Sequence, residues 1–216
     1  MSLETPAHRM TAEWLDTWMH VRGLTAAELD GWPLVHVGSR TRETELVCVD
    51  PGVDAFRRLM ASIAGDPRGM LTVLADDIGP YRISRLPPGV RVDRDDETLM
   101  TTMLRDEPVP PLEDDFTFRW DVDGNVVTYT VECGDAVAAE GTVGVLGPVA
   151  TFDAVETTPR FQRRGLGRHV MASLTVQAMG RGADRGVLAA SAPGRALYRS
   201  LGWDPALEML SLMGAD

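Results

Sequence analysis

The spacing of apolar residues changes period several times along the first half of the chain. Trp14, Leu15, Trp18 and Met19 recur at i, i+1, i+4 and i+5, which predicts a helix over 11–22 with Gly23 as its stop. Thr25-Ala26-Ala27-Glu28 matches a capping box and predicts a short second helix. Leu34–Val37 and Glu45–Val49 are strand-like and read as a hairpin across the polar stretch between them. Pro51-Gly52 turns the chain into a helix over 53–64, with Phe56, Leu59, Met60 and Ile63 on one side and Gly65-Asp66-Pro67 after it. Residues 70–74 form another strand, and 76–95 are rich in turn residues. Acidic residues at its start predict a helix over 93–104, as the helix dipole prefers. Residues 105–115 carry three prolines and several acids and read as a linker.

Beyond the linker the pattern is clearer. Phe116–Val122 and Val126–Cys133 alternate around Asp123-Gly124-Asn125, a strong hairpin signal. Ala136–Leu146 is a further strand weakened or bulged by its glycines, and Val149–Thr157 follows the Gly147-Pro148 turn. Val170, Met171, Leu174 and Ala178 mark a helix over 168–179, ended by Gly180 and Gly182. A short strand at 186–190, a helix carrying Leu197-Tyr198 and a strand at 207–213 complete the chain. No internal repeat is visible. The organisation expected is an α/β subdomain over 1–104, a linker over 105–115 and a second domain over 116–216.

With 44% hydrophobic and 25% charged residues, the 216-residue chain can bury a full core. A formal net charge of −11 argues against a nucleic-acid or anionic-membrane partner. Cys48 and Cys133 have no C-x-x-C spacing and fit a reducing compartment. His8, His20, His36 and His169 are scattered, so no metal site is expected, and His169 reads as a packed or surface residue rather than a catalytic one. No apolar run suggests a leader or a membrane span, so a soluble cytoplasmic protein is expected.

The stretch with the most chemistry is Thr157-Thr158-Pro159-Arg160-Phe161-Gln162-Arg163-Arg164-Gly165-Leu166-Gly167-Arg168, between a strand and a helix. A helix N-terminus presents unpaired N–H groups and the positive end of the dipole, which suits an anion. Gly165 and Gly167 would let a phosphate approach the backbone, and four arginines add positive charge. A P-loop is absent, and a Rossmann loop is excluded because Val170 stands where its third glycine or alanine belongs.

Gln162-Arg163-Arg164-Gly165-Leu166-Gly167 instead resembles the acyl-CoA pyrophosphate loop of the GNAT acyltransferase superfamily. Ser191 to Trp203, with Leu197-Tyr198 and then Leu201-Gly202-Trp203, resembles the superfamily's next block, one helix and one strand further on. The resemblance covers roughly residues 116–204. It implies an α+β fold, a mixed and mostly antiparallel central sheet flanked by helices, with the first half as an extension. It departs in one respect: the two helices that the superfamily places between its first and second strands have no room at Asp123-Gly124-Asn125, and the first half is the candidate for that missing acceptor wall. Trp14 and Trp18 could line it, although tryptophans on one helix face are more often core.

The implied activity is transfer of an acetyl group from acetyl-CoA to a small-molecule or peptide amine by direct attack; the alternative is a non-catalytic acyl-CoA-binding regulatory module. By the same resemblance Val155, Glu156 and Thr157 meet the pantetheine arm, Gln162, Arg163, Arg164, Gly165, Leu166, Gly167 and Arg168 hold the pyrophosphate, and Ser191 stands where relatives carry an Asn against that arm. Tyr198 takes the place of the general acid. A tyrosine, with a reference pKa of about 10, can donate to a thiolate at neutral pH. Asp153 is the candidate base, since alternation sets Thr151, Asp153, Val155 and Thr157 on one face; Glu156 is the reserve, because a bulge would exchange the faces. A homodimer through the C-terminal strands is a further arrangement found among relatives, and overall acidity favours a cationic acceptor.

Overall fold

The computed structural model describes residues 5–215. Thr5 accepts a hydrogen bond from the His8 amide and so starts helix α1 (Pro6–Arg22), and Gly23, at φ 62°, ends it. The helix therefore begins before its apolar stripe does. The short helix expected after it is instead a hairpin, β1 (Thr25–Leu29) with β2 (Trp32–His36). The turn residues Asp30 and Gly31 have φ of 51° and 82°. An Asp-Gly pair in the left-handed region makes the tight turn that two antiparallel strands need, and that outweighs a capping-box match. β3 (Thr44–Val49), helix α2 (Val53–Ile63) and β4 (Gly69–Ala75) follow the sequence pattern. The helix expected over 93–104 is a strand, β5 (Val90–Met103). Its β-branched residues Val92, Thr98, Thr101 and Thr102 suit a strand, and β5 has a partner along both edges, β11 and β10.

The second half matches expectation to within three residues at each end: β6 (Thr117–Asp123), β7 (Val126–Cys133), β8 (Ala136–Leu146), β9 (Val149–Thr157), α3 (Leu166–Gly180), β10 (Arg185–Ala190), α4 (Ala192–Ser200) and β11 (Asp204–Gly214).

All described strands join one 11-stranded sheet in the order β1-β2-β3-β4-β11-β5-β10-β9-β8-β7-β6. This order contains a repeat that the sequence hides. In the first half β2 and β3 are antiparallel, α2 crosses over, and β4 lies parallel to β3. In the second half β8, β9, α3 and β10 repeat that path. Each half is then completed by the last strand of the other: β11 pairs with β4, β5 pairs with β10, and β5 and β11 pair antiparallel at the centre. Thus β11 has a neighbour on both sides and offers no free edge to a second chain.

Alternation along the strands divides the core. Leu46, Cys48, Leu71 and Val73 pack under α2, and Val127, Ala150 and Leu188 pack under α3 with α4 beside it. Val47, Leu74, Leu99, Val149 and Val187 face the opposite way, onto Trp14, Leu15 and Trp18 of α1. Helix α1 crosses β8 at Gly144, where any Cβ would run into Val21. Residues 105–115 contain no helix or strand but are tied down. The Pro110 carbonyl can only accept, so His169 Nδ1 donates to it at 2.6 Å, and His169 Nε2 then accepts from the Tyr129 hydroxyl at 2.7 Å. His169 is buried and packed, as expected.

Candidate active site

The site begins where two parallel strands part. β9 and β10 pair only at Val149, Ala150 and Thr151. Beyond that, β9 stays with β8 as far as Thr157, and β10 stays with β5 as far as Ala190. The backbone of Asp153–Thr157 therefore faces a gap on its β10 side. The equivalent strands of the first half do not part: β3 and β4 pair from Thr44–Gly69 through Val49–Leu74.

A bulge sharpens the gap. Ala154 has φ 50°, and the β8–β9 register shifts between Glu140 and Thr142. The extra residue breaks the simple alternation expected for β9. Asp153 turns to the α1 side and meets Arg22, whereas Val155 lies beside Val170 and Leu174 of α3, around Gly141, and Thr157 lies near Gly167.

At the end of β9 the chain rises into the glycine loop. Gln162 Nε2 donates to the Thr157 carbonyl at 3.2 Å, so this side chain braces the loop. Arg163 and Gly165 have φ of 68° and 78°, and Gly165 caps α3 with no side chain to satisfy the helix start. The amides of Gly165, Leu166, Gly167 and Arg168 find no backbone acceptor among the described residues. Gly167 lets Leu197 of α4 come close, since a Cβ there would lie 3.0 Å from its side chain. The arginines divide. Arg164 is held by Glu113 and Asp115 and lies 4.3 Å from the Phe116 ring centre, and Arg168 donates to the Ser200 carbonyl at 3.1 Å. Arg163 has no ion-pair partner among the described residues, and Arg160 lies over Phe161.

Ser191 is the cap of α4, accepting from the Gly194 amide at 3.3 Å, and it also lines the cavity described below. On α4, the Tyr198 ring is wedged between Gly194 and Trp203. Its hydroxyl makes no hydrogen bond to the protein among the described residues. Burial first, and then the nearby Asp153 carboxylate, push its pKa up to about 12. It is thus a protonated donor at neutral pH.

Tyr198 lines a cavity of about 290 Å³ that also brings together Asp153, Glu156, Ser191, Trp14 and Trp18. Thr151, whose buried hydroxyl has no partner among the described residues, is in its wall. Asp153 is gripped by Arg22 through two bonds of 2.6 and 3.0 Å. Arg42, Glu45, Arg94 and Glu97, which sequence reasoning did not single out, also line the cavity. Glu45 is buried, bound by Arg42 at 2.5 Å and by Thr72 at 2.6 Å. Burial pushes the Glu97 carboxyl up against the opposing pull of Arg94, 3.0 Å away. The predicted helix over 93–104 obscured Arg94 and Glu97; as a strand, β5 lays them beside β11 and the cavity. No cluster of side chains suited to a metal ion occurs among the described residues.

Residues 94–203 match the model of the acetyltransferase (GNAT) family. No curated protein matches the chain. Among solved structures, a GCN5-related N-acetyltransferase from Kribbella flavida superposes with a TM-score of 0.65 at 15% identity, covering 98% of this chain and 96% of its own. A putative GNAT-family acetyltransferase from Novosphingobium aromaticivorans gives 0.59 at 18% identity, covering 96% and 97%. A tandem GNAT protein from the clavulanic acid biosynthesis pathway gives 0.52 at 15%, covering 88% and 77%. The chain belongs to the GNAT family of acetyltransferases, and its sheet is the mixed, mostly antiparallel one that the resemblance implied.

Proposed function

We propose that the protein transfers the acetyl group of acetyl-CoA directly to an amine. The observation that carries this is the parting of β9 and β10 between an uncapped glycine loop at one end and the Tyr198 hydroxyl at the other. The pantetheine arm would add along Val155, Glu156 and Thr157 as a strand would, with Ser191 across the gap. The pyrophosphate would rest on the amides from Gly165 to Arg168, with Arg163 free to approach it. Gln162 shapes that turn, and Arg164 and Arg168 fix it to the linker and to α4.

In the reaction, the amine lone pair attacks the thioester carbonyl, the carbon–sulfur bond breaks, and the Tyr198 O–H gives its proton to the departing thiolate. The proton shed by the attacking nitrogen passes to a carboxylate of the cavity and returns to the tyrosine through solvent. Asp153 lies beside Tyr198 in the cavity, but both of its oxygens are already taken up by Arg22. Glu97, with its raised affinity for a proton, is the stronger candidate. No described helix is long and apolar enough to cross a membrane, and both cysteines are free thiols; we place the reaction in the cytoplasm.

Calorimetric titration with acetyl-CoA, with ATP as control, tests the reading. Micromolar binding of acetyl-CoA alone is expected, and its loss is expected in a folded Gly165→Asp variant, where a carboxylate would stand at the helix start. Equal binding of ATP, or unimpaired binding by the variant, would place the loop in another role.

A further inference from the structure

Beyond the inner cavity lies an outer one of about 470 Å³, formed between the β2–β3 loop and the ends of β4, β5 and β11. The two share Arg22, Arg42 and Arg94, so they meet across these side chains. Their charge differs. The outer cavity has four arginines, Arg22, Arg42, Arg91 and Arg94, against Asp93 alone. The inner one sets four carboxylates, Glu45, Glu97, Asp153 and Glu156, against three of those arginines. A path that is positive at its mouth and acidic at the reacting end matches a molecule with the opposite polarity.

The hydrogen bonding of the outer arginines points the same way. Arg42 Nη1 and Arg94 Nη2 lie 3.7 and 3.6 Å from the sulfur of Met70, and Arg91 Nη2 lies 3.0 Å from the sulfur of Met213. A thioether is a weak acceptor, whereas a guanidinium N–H bonds most strongly to an anion. Each of these arginines also holds a carboxylate, Arg42 that of Glu45 through the same Nη1, Arg91 that of Asp93, and Arg94 those of Asp93 and Glu97; the Nη2 groups of Arg91 and Arg94, however, meet only a thioether among the described residues, around one cavity, in a chain of net charge −11.

We infer that the acceptor is an amine that also carries a carboxylate or phosphate, the anion held at the mouth by Arg42, Arg91 and Arg94 while the amine reaches Tyr198. This rests on the acetyl-transfer reading and replaces the cationic acceptor that overall acidity favours. The arginines that decide it are hidden within an acidic surface.

Thiol release from acetyl-CoA would be measured with matched acceptors: 4-aminobutyrate against n-butylamine, O-phosphoethanolamine against ethanolamine, and putrescine as a dication. At least a tenfold higher kcat/KM is expected for the anionic member of one or both pairs; which pair responds tells carboxylate from phosphate. In Arg91→Gln, a half-exposed position suited to a folded variant, that preference should fall about tenfold, with Arg91→Lys retaining part of it and acetyl-CoA affinity unchanged in both. Equal rates within both pairs, or a preference for putrescine, would overturn the inference while leaving acetyl transfer standing. Failure to bind acetyl-CoA at all would overturn both. Calorimetry with the amines alone gives a second reading that does not need turnover: the anionic member should bind wild type and lose affinity in Arg91→Gln.

Discussion

Tyr198 shows how one side chain can be fitted for a single proton transfer. Its ring is fixed by Gly194 and Trp203, its hydroxyl has no protein partner among the described residues, and burial keeps it protonated. General acid catalysis contributes at least about a hundredfold to a rate, so Tyr198→Phe should lower kcat by about that factor with little change in acetyl-CoA affinity by calorimetry. Unchanged turnover would remove Tyr198 from the mechanism. A second tyrosine behaves alike. Burial first, and then its hydrogen bond to Asp50, push Tyr81 up to about 12 as well. Both pKa values are raised above the reference value of about 10. The stability they contribute is therefore complete below about pH 10 and is lost as pH rises towards about 12. Urea midpoints measured across that window should fall in the wild type and fall less steeply in Tyr81→Phe.

At the level of elements, α1 supplies part of the cavity wall. It brings Trp18 and Arg22 to the cavity, with Trp18 flanked by Arg22 and Arg42, each 5.6 Å from its ring centre. This placement depends on Gly144. A valine there would meet Val21 and lift the helix, and overpacking of this kind costs about 1–3 kcal/mol. Gly144→Val should lower the melting temperature and raise the acceptor KM while leaving acetyl-CoA binding nearly intact, because the loop and α3 lie on the other face of the sheet. An unchanged KM would mean that α1 is only a cover. The second half was legible because its signals are local: Asp-Gly turns, apolar periods and a glycine loop next to a helix. Asp30-Gly31 was as good a signal but stood beside a capping-box match. β5 could not be read locally, since its acidic start suits a helix, and the strands that flank it, β10 and β11, lie about ninety or more residues later. With β5 went Arg94 and Glu97. The bulge at Ala154 was foreseen only as an option, since alanine does not advertise a left-handed backbone.

For the whole molecule, the repeat in topology raises the question of a second site, and the first half answers it. β3 and β4 close where β9 and β10 open, and the start of α2 is already occupied: the Gly52 amide donates to the Tyr81 hydroxyl at 3.2 Å, and that hydroxyl donates to Asp50. Calorimetry should accordingly give one acetyl-CoA per chain; a stoichiometry near two would show that the first half opens in solution. The exchange of last strands makes a stronger demand. Residues 105–216 alone would keep β10 and β11 but lack β5, the strand that pairs with both. Residues 1–104 alone would keep β4 and β5 but lack β11 between them. Each piece would leave three strand edges unpaired and expose the apolar residues above them, which favours aggregation over folding. Neither fragment should give a cooperative thermal transition, whereas mixing or co-expressing them should restore the full sheet and acetyl-CoA binding. A chain cut within 105–115 after folding should likewise stay together and unfold in one transition, because no covalent link is needed to hold β5 against β11. If 105–216 folds alone and binds acetyl-CoA as the intact chain does, the halves are autonomous, and the exchanged strands decorate the sheet without completing it.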